Sequence, residues 1–227
     1  MKLQKETKMH GRWYDDACGM AFGLEVIGER WALLVVRELM LGPRRFSDLR
    51  KRLPGISAKV LTERLASLET AGVLERIEVP PPTPARLYGL TEWGRHAEPL
   101  VQEIGRWAAR SPQHDPTLPL SPVSLMLSFR TMLRSDRLAP LSGSVGFEID
   151  GETFVASLTE TLPISREAID DCDAIIRASA APILAAHVYG EVPASELERD
   201  GGLAIEKDRG LATRLLACFE LPPKLPH

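Results

Sequence analysis

Residues 42–72 read GPRRFSDLRKRLPGISAKVLTERLASLETAG, two short helical patterns divided by a breaker. In the first, Leu49 and Leu53 repeat at a helical step behind Phe46, with Ser47 as the expected N-cap. Pro54-Gly55 must end it, because proline lacks the amide and crowds the preceding turn while glycine accepts a left-handed backbone. A second helix opens at Ser57, sets Leu61, Leu65 and Leu68 on one face, and stops at Gly72. A rotation of about 100° per residue from Leu61 carries Lys59, Thr62, Glu63 and Ala66 to the opposite side. Such a narrow polar face fits a major groove. There Lys59 can donate to guanine or phosphate, Thr62 can bond a base edge or touch a thymine methyl, and Glu63 can accept from cytosine. Ser57 sits at the positive end of the helix, where a phosphate is favoured, and Arg44 and Arg45 precede the pair as expected backbone clamps.

Outward from this stretch the pattern stays mostly helical. Asp15–Ile27 carries Cys18, Phe22 and Val26 at four-residue steps. Trp31–Leu41 is apolar almost all round until Gly42-Pro43, which predicts a central helix. On the other side, Val73–Val79 and Arg86–Leu90 favour strands, and the intervening PPPTPA cannot join a ladder, so a two-stranded ribbon with a stiff tip is expected. Arg86, beside that tip, is a further clamp, and Arg76 a weaker one. Thr91 then caps a long helix, Glu92–Arg110, with Trp93, Leu100, Ile104, Trp107 and Ala108 at helical spacing and Pro99 interrupting it. Helix, turn, helix and ribbon together make a winged helix-turn-helix, a recurrent DNA-reading arrangement. Helix-turn-helix pairs also occur in cores that bind no nucleic acid, so the charge distribution matters.

The chain of 227 residues carries a formal net charge of −3. That balance conceals 18 Lys and Arg against 14 Asp and Glu in residues 1–112, and 10 against 17 in residues 113–227. Gly42–Arg64 alone holds seven basic and two acidic residues, which marks it as the place for a polyanion. With 44% hydrophobic and 26% charged residues, wholesale disorder, collagen and a free coiled coil are excluded. No apolar run approaches the ~20 residues of a membrane span, and the opening MKLQKETKMHGRWYDD lacks the apolar core of a signal peptide. The expected location is the cytoplasm, with no membrane partner. Three dispersed cysteines, Cys18, Cys172 and Cys218, fit neither a disulfide framework nor a zinc module. The histidines show no HExxH spacing, and neither a G-x-S-x-G elbow, a P-loop nor a GxGxxG appears. Asp170, Asp171 and Asp173 lack the calcium-loop pattern and read as a solvated turn. No catalysis, cofactor or metal is expected.

RSPQHDPTLPLSP, residues 110–122, packs four prolines among small and polar residues and reads as a linker. The expected organisation is α+β: a mainly helical winged domain over 1–110, a linker over 111–122, and a smaller α+β domain over 123–227. In the last, GSVGFEIDGETFVASL is a hairpin turning at Asp150-Gly151. Ala174–Arg177 and Leu203–Ile205 are strand-like. Ala180–Tyr189, ended by Gly190, Ser195–Arg199 and Arg209–Phe219 are helical.

The stretch Cys18–Ala109, with C-x7-VIGERWALLVVREL, the quoted GPRRF to LETAG segment and RLYGLTEWG, resembles the HxlR-type winged-helix transcriptional regulators. The resemblance implies a homodimer joined by the N-terminal helix and the helix after the wing, with the Ser57 helix in the major groove of double-stranded DNA. It places Arg45, Ser57, Lys59, Thr62, Arg64 and Arg86 near DNA. The helical wheel puts Arg64 on the flank, which restricts it to phosphate. Glu63 departs from a purely basic surface and leaves base preference open. Some members sense oxidants through a cysteine near the position of Cys18. A thiolate there would be opposed by Asp15 and Asp16 and favoured by the helix N-terminus, and the burial usual for cysteine is the expected state.

From Val123 onward the order of helix, hairpin, DAIIRAS and GGLAIEKDRGLATRLLACF is similar to sterol-carrier-protein-like domains. That similarity implies helices on a curved sheet around an apolar tunnel, which Phe129, Met132, Phe147, Phe154, Ile183, Leu184, Leu215 and Phe219 would line. Each of these residues taken alone reads as core. The expected function is a homodimeric regulator of transcription, by default a repressor, on an inverted repeat with half-sites about one helical turn apart, modulated by an apolar small-molecule effector. Two alternatives stand beside it: a carrier or sensor of hydrophobic small molecules whose helical part dimerises, and a thiol-based regulator acting through Cys18.

Overall fold

The structure, a computed structural model, describes residues 14–80 and 85–226. The tip of the ribbon, 81–84, and His10 lie outside the described residues. The chain divides into two compact units, Met1–Glu98 and Pro99–His227.

In the first unit α1 (Gly19–Ile27), α2 (Ala32–Leu39), α3 (Phe46–Arg52) and α4 (Ala58–Thr70) precede an antiparallel ribbon of β1 (Leu74–Val79) and β2 (Ala85–Leu90), followed by a single turn, α5 (Glu92–Arg95). Val35, Val36 and Leu39 of α2, Leu49 and Leu53 of the α3 region, and Leu61, Leu65 and Leu68 of α4 form one core. Each such leucine contributes about 1.5–3 kcal/mol by leaving water. Gly72 follows α4 at φ 74°, the left-handed stop the sequence predicts.

Three local expectations are corrected. Helix α3 starts at Phe46 with Arg45 as its N-cap, and the Ser47 hydroxyl donates to Asp48 instead of capping. Helix α1 starts at Gly19 instead of Asp15, and it buries Ala21 and Val26 while leaving Phe22 exposed. The long helix after the ribbon is two helices, α5 and α6 (Glu98–Ala109), because the ring of Pro99 cannot pass the Arg95 carbonyl. Thr91 caps α5 as expected, accepting from the Gly94 amide at 3.1 Å.

The second unit holds α6, α7 (Pro122–Thr131), α8 (Ser135–Leu138), β3 (Ser144–Ile149), β4 (Glu152–Ser157), β5 (Ile164–Ser165), β6 (Ala174–Ala178), α9 (Ala181–Gly190), α10 (Ala194–Arg199), β7 (Leu203–Lys207) and α11 (Arg209–Leu216). The sheet runs β5-β4-β3-β6-β7, antiparallel except for β3 against β6. Asp150 and Gly151 take φ 49° and 74° between β3 and β4, the tight turn the dipeptide predicts. The left-handed residue closing α9 is Glu191, φ 58°, not Gly190, which remains helical. The brief α8 and β5 carry no sequence period long enough to announce them. The fold as a whole is mixed α+β.

Among the described glycines of the first unit Gly94 is the most crowded, since a Cβ there would lie 2.0 Å from the Val73 carbonyl oxygen. Gly94→Ala is expected to destabilise by about 2–3 kcal/mol, whereas Gly190→Ala, with open space around it, is expected to be neutral or slightly stabilising. Urea unfolding of the two variants checks the contrast.

Candidate nucleic-acid interface

Helix α4 is placed by its leucines. With Leu61, Leu65 and Leu68 almost fully buried, Lys59, Thr62, Glu63 and Ala66 are all exposed on the other side. Ser57 caps the helix, its hydroxyl oxygen accepting from the Val60 amide at 3.2 Å. The capping leaves the Ser57 hydroxyl hydrogen available to a phosphate. Thr62 donates to the Ala58 carbonyl at 2.9 Å, which occupies its hydrogen and leaves its oxygen lone pairs to accept.

The arginines divide by environment. Arg45 is exposed at the start of α3, and Arg50 and Lys51 are exposed on the face opposite Leu49. In the sequence Arg50 and Lys51 stand out only in the local charge, and their offset from Leu49 and Leu53 is the signal that they face outward. Arg86 Nε pairs with Glu78 at 2.9 Å, both side chains largely in water. An exposed pair of this kind is worth about 0–1 kcal/mol, so a phosphate can compete for the guanidinium. Arg76 pairs with Glu69 at 2.9 Å and lies over the Tyr88 ring.

Two expected contacts are placed elsewhere. Arg44 is only 7% exposed, and its backbone exchanges hydrogen bonds with Tyr88 at 2.9 and 2.8 Å, tying the segment before α3 to strand β2. Buried in this way, Arg44 is a structural residue and not a clamp. The Arg64 side chain is 17% exposed and pairs with Glu29 at 2.8 Å, which joins α4 to the turn between α1 and α2. At that turn Trp31 is left-handed, φ 78°, and a Cβ on Gly55 would lie 3.7 Å from its ring. Glu29 and Trp31 thus fix where α4 and the preceding turn sit, a role invisible in sequence because the partners are far apart along the chain.

Residues 26–115 match the family model described as HxlR-like helix-turn-helix. The HTH-type transcriptional regulator YvaP of Bacillus subtilis is 42% identical over 86 residues, 37% of this chain and 79% of that relative. The chain belongs to the HxlR-like helix-turn-helix family. YodB, another HTH-type transcriptional regulator of Bacillus subtilis, is 40% identical over 90 residues, 39% of this chain and 80% of YodB. The reduced form of YodB, as a solved structure, is 34% identical and covers 43% of this chain and 98% of its own, with a TM-score of 0.40. The family model ends at residue 115, so the sterol-carrier-like similarity of the second unit is not part of what these matches support.

Cys18 corrects an expectation of burial. It is exposed at the N-cap of α1, where the amides of Ala21 and Met20 hold its thiol below the ordinary range. Its own amide donates to Asp16 at 2.9 Å, which turns that carboxylate to the backbone. Cys172 and Cys218 are buried, and desolvation pushes both thiols up.

In the second unit Phe129, Phe147, Phe154, Leu184 and Leu215 are fully excluded from water, Met132 and Phe219 nearly so, and Ile183 is half-buried. Phe129 stacks on Phe219 at 4.2 Å between centroids and meets Phe147 at 5.7 Å. The acidic turn is ordered by its own contacts: Asp173 accepts from the Ser144 amide at 2.8 Å, and Lys207 donates to the Cys172 carbonyl at 2.7 Å. Among the described residues no group of three or more His, Cys, Asp or Glu could hold a metal ion, and no helix is long and apolar enough to cross a membrane.

Arg45→Ala is expected to lower the slope of log affinity against log salt by about 0.9, as loss of one phosphate contact requires. Arg64→Ala, by contrast, is expected to weaken binding with the slope nearly unchanged; fluorescent-duplex titrations over a salt series separate the two. Of the three thiols, Cys18 is expected to alkylate at least about tenfold faster than the others, with a pH midpoint below the usual thiol value. Mass spectrometry of iodoacetamide adducts over a pH series checks this.

Proposed function

We propose that the chain is a sequence-specific, DNA-binding transcriptional regulator that acts as a homodimer on an inverted repeat. The observation that carries this reading is the exposed Lys59–Thr62–Glu63 face on a helix whose other side is locked into the core. Lys59, Thr62 and Glu63 read base edges, Ser57 and Arg45 hold the backbone ahead of α4, and Arg86 reaches the backbone from the ribbon. Each subunit contributes one such face, and half-sites about one helical turn apart match a two-fold dimer.

Dimerisation is supported by apolar surface that a monomer leaves in water. Leu100, Ile104 and Trp107 lie along one side of α6 at 53%, 48% and 76% exposure, and Met20, Phe22 and Leu24 are exposed on α1. A helical stripe of this size is an association surface. Repression follows most directly, because a dimer seated over a promoter excludes polymerase without further contacts.

The second unit, helices on a sheet around an aromatic core, is assigned to an apolar effector that biases the DNA-competent state. Such control needs unequal affinity of the effector for the two states. A thiol-based mode of control is the second reading. Its support is the exposed Cys18 at a helix N-terminus, a setting that favours the thiolate.

Selection of bound duplexes from a random pool at two salt concentrations tests the proposal. The expected result is a two-fold-symmetric motif whose enrichment falls steeply with salt. If the folded, dimeric protein enriches no motif, the regulator reading is wrong, and a carrier of hydrophobic small molecules takes its place.

A further inference from the structure

After α11 the chain makes contacts within its own unit at Ala217, Cys218, Phe219 and Glu220, and again at Lys224 and Leu225. The Ala217 carbonyl accepts from Arg137 at 3.0 Å and the Cys218 carbonyl from the Arg134 amide at 2.8 Å. Glu220 donates its amide to the Met132 carbonyl at 3.0 Å, and its carboxylate accepts from Arg134 and Arg137, each at 2.9 Å. Pro222-Pro223 then stiffens the path. Beyond the prolines, Lys224 donates to the carbonyls of Ser111 at 2.9 Å and His114 at 3.1 Å, and the Leu225 amide donates to the Arg110 carbonyl at 2.8 Å.

Those last contacts fall on the turn that follows α6. The Trp107 and Ala108 carbonyls of the helix already accept from the Arg110 and Ser111 amides, so the Lys224 ammonium fixes the turn beyond them, at the negative end of the α6 dipole. One turn earlier Arg106 donates to the carbonyl of Thr131, the last residue of α7, at 2.8 Å. Arg106 of α6 and the turn just after the helix are therefore each tied to another segment of the same unit.

The other end of the segment enters the aromatic core. Phe219 stacks on Phe129 at 4.2 Å with the rings 6° from parallel, and Phe219 also bridges Leu133 through the backbone. Nothing apolar can insert beside Phe129 without moving Phe219 or Phe129 itself, because close-packed interiors have no slack. Glu220 and Lys224 lie in water, so the contacts at the α6 end are of the exposed kind that open at low free energy.

We propose that residues 217–225 form a strap that transmits the packing of the Phe129–Phe219 core to α6, so that an apolar effector changes dimer geometry by tightening or releasing the strap. The inference rests on the dimer and effector readings above and supplies their mechanical link. A released strap frees the last turn of α6, lets the Leu100–Ile104–Trp107 stripe reorient, and relaxes the spacing between the two recognition helices.

The test uses the 227-residue chain. Leu225→Pro deletes one amide donor, and Lys224→Met removes the ammonium; neither residue lies in the core. Hydrogen exchange over 106–114 is expected to accelerate about tenfold in the double variant, with the melting temperature little changed. Affinity for the selected operator is expected to fall about fivefold, and operators respaced by one or two base pairs are expected to bind nearly as well as the original. Phe219→Leu is expected to accelerate exchange over the same 106–114 segment. Unchanged exchange there in the strap variants, or in Phe219→Leu, overturns the strap as the link. Faster exchange with unaltered affinity and spacing preference overturns its effect on the dimer. Failure of the wild-type chain to select any duplex sinks the regulator reading alone, because the exchange comparison still decides the strap.

Discussion

Leu61, Leu65 and Leu68 run along one side of α4 and are closed off from water in the same core as Val35, Val36 and Leu39 of α2. Removing any one of them would lose its transfer free energy and leave a cavity, typically 2–5 kcal/mol for leucine to alanine. Because a helix has a fixed twist, that contact dictates the rest. Once the leucines are inside, Lys59, Thr62 and Glu63 have no choice but to face out, and Ser57 comes to the exposed N-terminus. The Pro54-Gly55 turn serves the same end. Gly55 at φ 92° reverses the chain so tightly that α3 and α4 share one core, and Trp31 packs over the turn.

Electrostatics then sorts the arginines of the basic stretch into two uses. Arg44 and Arg64 are withdrawn from solvent, one bridged through its backbone to Tyr88 of the ribbon and one paired with Glu29, and stabilise the arrangement of the elements. Arg45, Arg50 and Lys51 stay in water, where desolvation has not been spent and a polyanion can release their counterions. Net charge alone could not make this division, because burial decides it and burial depends on partners distant in sequence.

The second unit solves a different problem. Its sheet is mostly antiparallel, with β3 and β6 parallel at the centre, and its aromatic residues meet across elements far apart along the chain. Phe129 comes from α7, Phe147 from β3 and Phe219 from the segment after α11. A core assembled from such separated pieces couples the positions of the elements that supply them. The segment after α11 carries Phe219 at one end and reaches the turn after α6 at the other.

Helix, Pro-Gly turn, helix and ribbon were legible in the sequence because each is specified locally: leucine periodicity, breaker residues and capping hydroxyls act within a few positions. The Asp150-Gly151 hairpin was legible for the same reason, as were the outward residues of α4, which a helical wheel locates without any partner. Tertiary structure alone decided the remainder. The burial of Arg44, the pairing of Arg64 with Glu29, the exposure of Cys18 and the return of Lys224 to the turn after α6 all depend on residues 35 to 113 positions away or on the absence of neighbours. A one-dimensional pattern records which side chains prefer to leave water, but only the packed chain decides which of them succeed.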